Sequence, residues 1–154
     1  MTLDYLRVAC TLLAVSCIAP AHAQSADDAV ALVRKAKGYL KSQGVEKACK
    51  DFADVAAGFQ KGELYVSVLD MREAGHLKFV CNPKNARMNG KDVIELKDSD
   101  GKPFNKEIAE LSKTKGQGWV NYRWVNPVSG NMEAKTSYFE AQDGLVLLAG
   151  IYKK

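Results

Sequence analysis

The sequence predicts an α+β domain built on one antiparallel sheet. Three observations predict it. Residues Ser25–Gln43 place Ala29, Leu32, Val33, Ala36 and Leu40 at helical spacings of three and four. Two runs of strand formers, Leu64–Leu69 and His76–Cys81, flank the turn Glu73-Ala74-Gly75. Three further runs, Trp119–Val125, Glu133–Glu140 and Leu145–Tyr152, follow in close order. Connections this short join antiparallel neighbours, whereas parallel strands need a long crossover. The expected order is therefore helix, hairpin, helix, three-stranded meander.

The elements follow in chain order. Val8–Ala19 is an apolar run shorter than the roughly 20 residues a membrane span needs. Arg7 precedes it, and Ala21-His22-Ala23 fits the small-residue pattern of a cleavage site. This segment is expected to be a secretory signal, residues 1–23, cut after Ala23. Lipid attachment at Cys17 and an uncleaved anchor are the alternatives. Ser25 caps the first helix, Asp27 and Asp28 sit in its first turn, and Gly44 ends it. A short helix over Val45–Phe52 comes next. Asn82–Asn89 reads as a loop and Lys91–Leu96 as a short helix. Pro103 suits the first turn of a helix over Phe104–Lys115. The turns Asn126–Asn131 and Gln142-Asp143-Gly144 separate the last three strands.

Composition narrows the function classes. The chain has 154 residues, 47% hydrophobic and 26% charged, with a formal net charge of +4. Length argues for one domain, and the modest charge excess does not indicate a nucleic-acid binder. Beyond the signal, one histidine (His76) and two cysteines (Cys49 and Cys81) remain. That excludes histidine-based zinc spacing, and no C-x-x-C pair, G-x-S-x-G elbow or phosphate loop is present. Cys49 and Cys81 permit a disulfide in an oxidising compartment; two buried small hydrophobes are the alternative. A nucleophilic pairing of His76 with either cysteine is the weakest reading, because His76 opens a strand beside a turn. Asp98-Ser99-Asp100-Gly101 lacks the spacing of a calcium loop and reads as a turn.

The meander carries the binding chemistry. Side chains alternate along a strand, so Val120, Tyr122 and Trp124 face one way and Trp119, Asn121, Arg123 and Val125 the other. Polar-tipped aromatics suit a small-molecule pocket, although each alone is equally a core residue. Lys135, on the next strand, would bind a carboxylate if it faced the pocket. Arg87, in the loop before Gly90-Lys91, offers a bidentate carboxylate contact.

The stretch GQGWVNYRWVNP (Gly116–Pro127), then Lys135-Thr136-Ser137-Tyr138, then Gly150-Ile151-Tyr152, resembles the single Cache domain of type 2. Gly62–Val66, Asn82-Pro83, Gly90-Lys91 and Lys97-Asp98 fall where that family has comparable residues, and the resemblance spans Ala29–Tyr152. It implies a PAS-like extracytoplasmic sensor over residues 24–154, with a long N-terminal helix packed on a central sheet and a ligand pocket on one face. It also implies binding of short organic carboxylates such as acetate, propionate, lactate or pyruvate, without catalysis, metal or cofactor. Carried over by position, the site residues are Tyr122, Trp124, Lys135 and Tyr138, then Arg87 and Tyr65. Regular pairing puts Tyr138 on the strand face opposite Lys135, so both line one pocket only if a bulge intervenes. A histidine of many relatives is replaced near Phe79, and the loop Lys84–Asn89 is longer than usual. Lacking a second span and an output domain, the chain resembles stand-alone exported members, periplasmic or secreted, that pass a signal to a membrane receptor, kinase or transport partner. An interaction module with a degenerate pocket is the alternative function.

Overall fold

The computed structural model describes residues 24–153. The expected signal, its cleavage after Ala23 and the alternatives at Cys17 lie outside the described residues. No helix among the described residues is long and apolar enough to cross a membrane.

Helix α1 spans Ala26–Gln43 and starts at a capping box formed by Ser25 and Asp28. Its stripe of Ala29, Val33, Ala36 and Leu40 is buried, as the spacing requires. Gly44 adopts φ of 80°, which ends α1 and opens α2 (Val45–Ala53) in a new direction. The strands are β1 (Gln60–Lys61), β2 (Leu64–Asp70), β3 (Lys78–Cys81), β4 (Gln117–Val125), β5 (Met132–Gln142) and β6 (Leu145–Tyr152). Helix α3 covers Phe104–Thr114, with Pro103 just outside it as the N-cap.

The sheet runs β1-β2-β6-β5-β4, and β3 pairs with β2 on the side away from β6. All pairs are antiparallel. Strand β6 is central and covered on both faces, which explains its continuous apolar run. The β5–β6 hairpin closes on Asp143 and Gly144, with φ of 53° and 75°. Two residues of positive φ match the strand twist, and Asp-Gly tolerates them best.

The two faces have separate cores. One packs α1 and α2 against Val66, Val68, Leu147 and Ala149. The other packs α3 and the loop before it against Leu69, Val120, Phe139, Val146 and Leu148. Cys49 on α2 and Cys81 on β3 form a disulfide, with Cα atoms 5.6 Å apart. Closing a loop of 32 residues contributes about 3–4 kcal/mol in the chain-entropy treatment.

One expected element is absent. Lys91–Leu96 is not a helix: Asp92 bridges to Lys78, and Val93 N–H donates to the Leu77 carbonyl. The Asp92 carboxylate accepts the backbone N–H groups of Leu77 and Ile94, an alternative to helical bonding open to a short acidic side chain. The segment thus lies along β3. The Asp98 turn also has a structural task. Asp98 accepts N–H bonds from Asp100, Lys102 and Arg123, the last on the outer edge of β4, which no further strand pairs among the described residues.

Candidate functional site

The site lies on the sheet face opposite α1. Register aligns Tyr122 with Lys135 and Lys135 with Tyr152, giving one row across β4, β5 and β6. Tyr65, on β2, points to the same face. The Lys135 ammonium donates to the hydroxyls of Tyr65 (3.1 Å) and Tyr152 (3.2 Å). It also lies 4.2 Å and 4.7 Å from the centroids of those two rings. Tyr152 in turn donates to the Val125 carbonyl at 2.8 Å, which fixes its hydroxyl as an acceptor for the lysine.

Lys135 is only 3% exposed, yet no carboxylate among the described residues forms an ion pair with it. Burial pushes its pKa below the ordinary lysine value, and the phenol of Tyr65 and the more distant Glu63 offset that only in part. Burial also raises the pKa of Tyr122 and of Tyr152, so both phenols stay neutral. The site therefore sets one desolvated lysine among hydroxyl groups, with no acid in contact with it.

Gly150 makes room for the lysine. A Cβ there would meet Ser137 Oγ at 2.1 Å and Lys135 Cε at 2.6 Å. Only a glycine lets the Lys135 stem cross β6 at this point. The walls are aromatic. Phe104, at the start of α3, stacks on Tyr122 with centroids 4.2 Å apart, and Trp124 meets Phe104 edge-on at 5.7 Å. The Tyr122 hydroxyl pairs with Ser137 Oγ at 2.9 Å. Asn82, 3% exposed, accepts the backbone N–H groups of Lys84 and Asn85 through its side-chain oxygen. Its NH2 group has no acceptor among the described residues.

These side chains enclose a cavity of about 20 Å³. It adjoins an outer vestibule of about 200 Å³ that shares Tyr65, Asn82 and Trp124 with it and adds Lys84, Asn85, Val125 and Pro127. Chemically the inner space is an anion site: a desolvated ammonium, hydroxyl groups and an amide donor between aromatic walls.

Four sequence-predicted residues converge here: Tyr65, Tyr122, Trp124 and Lys135. Tyr138 does not. No bulge intervenes in β5, so Tyr138 lies on the α1 face, where its ring packs on Trp119 and its hydroxyl donates to Glu140 at 2.8 Å. Arg87 sits exposed on a short 3-10 turn over Ala86–Met88 and lines neither space. Phe79 contributes an apolar wall. Sequence reasoning missed Asn82 and Gly150 as lining residues and Tyr152 as a partner of Lys135, although Gly150 and Tyr152 stood in a motif it had singled out. The nucleophile reading of His76 with a cysteine has no free thiol, since both cysteines are bridged; His76 Nδ1 instead meets the Asp92 carboxylate.

A helix-backed antiparallel sheet with a small polar cavity on the face packed by α3 has the form of a ligand-binding domain. The chain belongs to the Single Cache domain 2 family, whose sequence profile matches residues 24–152. It is similar to a solved Cache chemosensory domain described for its carboxylic acid recognition, with 26% identity and a TM-score of 0.69 over 83% of this chain and 92% of that one. A periplasmic sensor domain of a chemotaxis protein is similar at 26% identity and a TM-score of 0.65, over 81% and 92% of the two chains. A methyl-accepting chemotaxis protein from Vibrio parahaemolyticus shares the fold, at 19% identity and a TM-score of 0.63 over 80% and 82%. In sequence, the methyl-accepting chemotaxis protein McpP of Pseudomonas putida is 31% identical over 77 residues. That match covers 49% of this chain and 14% of McpP, so the chain matches a small part of that relative's length.

Proposed function

We propose that this protein is an exported binding module that captures a short organic carboxylate and presents the occupied state to a separate signalling or transport partner. One observation carries the reading: Lys135 is buried in contact with hydroxyls and rings but with no acid. A buried cation without a counter-ion is costly. A carboxylate entering the cavity supplies the missing charge, and Phe79, Phe104, Tyr122 and Trp124 exclude the water that would screen it. The similarity to a domain described for carboxylic acid recognition supports the same chemistry. Export follows from the signal-like residues 1–23, and a mature N-terminus at Gln24 in the exported protein is the corresponding expectation.

The experiment is a thermal-shift panel of formate, acetate, propionate, lactate and pyruvate. At least one acid is expected to raise the melting temperature in a saturable way, since a ligand at 100 times its dissociation constant adds about 2.7 kcal/mol. Lys135→Met is expected to abolish the response while remaining folded. A flat response of the wild type across the panel overturns the carboxylate reading and favours an interaction module with an unused pocket.

A further inference from the structure

The two connected spaces differ tenfold in size, about 20 Å³ against about 200 Å³. A space of 10–15 Å³ on this measure holds about one water. At about 20 Å³ the inner cavity takes no more than a ligand's head group, and the adjoining vestibule is the larger space for the remainder. That vestibule is not uniformly apolar. Lys84 lines it, and the Lys84 ammonium donates to Gln60 Oε1 at 2.6 Å. The Gln60 amide is held from behind, because its Nε2 donates to the carbonyls of Phe52 (3.1 Å) and Ala53 (2.9 Å) at the end of α2. Two carbonyl acceptors leave only the oxygen to face Lys84. The lysine is therefore positioned by a neutral partner, and no carboxylate among the described residues pairs with it.

Lys84 and Lys135 approach the same Tyr65 ring, 5.9 Å and 4.2 Å from its centroid. Their separation cannot exceed the sum of those distances. Between them stands Asn82, which lines both spaces and whose NH2 group has no acceptor among the described residues. Two lysines, both without acid partners among the described residues, thus line two adjoining spaces that share Tyr65, Asn82 and Trp124.

We propose that the ligand of this site is a short dicarboxylate of the succinate type, with one carboxylate on Lys135 in the inner cavity and the second on Lys84 in the vestibule. The proposal rests on the carboxylate reading above and adds Lys84 as the residue that selects a second negative charge. Trp124, Val125 and Pro127 then cover the methylene chain.

Calorimetric titration of succinate and butyrate tests it, since the two acids share a four-carbon chain and differ in the second carboxylate. Wild type is expected to prefer succinate by a factor of up to about five, the size of one partly exposed ion pair. Lys84→Met is expected to reduce that preference to near unity, and Lys135→Met to lose both acids. Equal binding of the two acids by wild type, or a succinate preference that survives Lys84→Met, overturns the outer subsite while leaving the carboxylate reading standing. Failure of wild type to bind either acid, or any acid of the panel, overturns both.

Discussion

The two faces of the sheet each bury a charge, and they treat it in opposite ways. On the α1 face Glu140 is 4% exposed, and the Arg34 and Lys37 side chains reach it from the helix while Tyr138 donates to it from two residues away. Burial alone would raise its pKa. The hydrogen bonds from Lys37, Tyr138 and Arg34 outweigh that and hold it below the ordinary glutamate value. On the other face Lys135 is 3% exposed and meets only neutral groups. The acid is satisfied within its own chain and serves the packing of α1. The cation is left open, and an open buried charge beside a cavity is where a ligand contributes most.

That contrast is broken or sharpened by four measurements. The largest effect concerns the ligand: carboxylate affinity is expected to fall as pH rises through the depressed value of Lys135, before ordinary surface lysines titrate. The sign follows from the shift, because the neutral amine no longer attracts the anion. In the ligand-free protein the same shift disfavours folding while Lys135 is charged, and that penalty is relieved as pH rises from the depressed value towards the ordinary lysine value. Affinity that stays constant until the ordinary lysine range would show that Lys135 is not desolvated.

Glu140→Gln comes next and should destabilise by about 2 kcal/mol in denaturant unfolding, the scale of hydrogen bonds to a charged group. Glu140 contributes above the ordinary glutamate range, and the contribution is lost as pH falls through its lowered folded value. The wild-type excess over the variant should therefore vanish in acid. Lys135→Met should move the other way, raising the ligand-free melting temperature, since it removes a buried charge that lacks a counter-ion. A fall in melting temperature for Lys135→Met would make the lysine a structural residue like Glu140. The smallest effect belongs to Tyr138→Phe, expected to cost about 1 kcal/mol of stability and to leave ligand affinity as it was. A clear loss of affinity would mean that the two faces are coupled.

Much of this contrast was legible in the chain. Alternation along Trp119–Val125 grouped Val120, Tyr122 and Trp124, and the structure keeps them on one face. The same period of two set Lys135 against Tyr138, and regular pairing through β5 keeps them apart. Lys91–Leu96 misled because its side chains suit a short helix, and only the nearby β3 gives Asp92 and Val93 better partners. Arg87 was drawn in by its chemistry, and a short turn carries it to the surface.

The sequence by itself determined the type of the long elements, the α1 stripe, the turn over Gln142-Asp143-Gly144 and the grouping of residues by strand face. These depend on spacings of two to four residues and on backbone preferences, which act locally. Tertiary structure decided which face became the pocket, and it did so by where α1 docked. It also brought Tyr65 and Tyr152 to Lys135 from 70 and 17 residues away. It joined Cys49 to Cys81 and set Gly150 under the lysine stem. Register between distant strands and the exclusion of water from an interior are properties of the assembled sheet, and no short window of residues contains them.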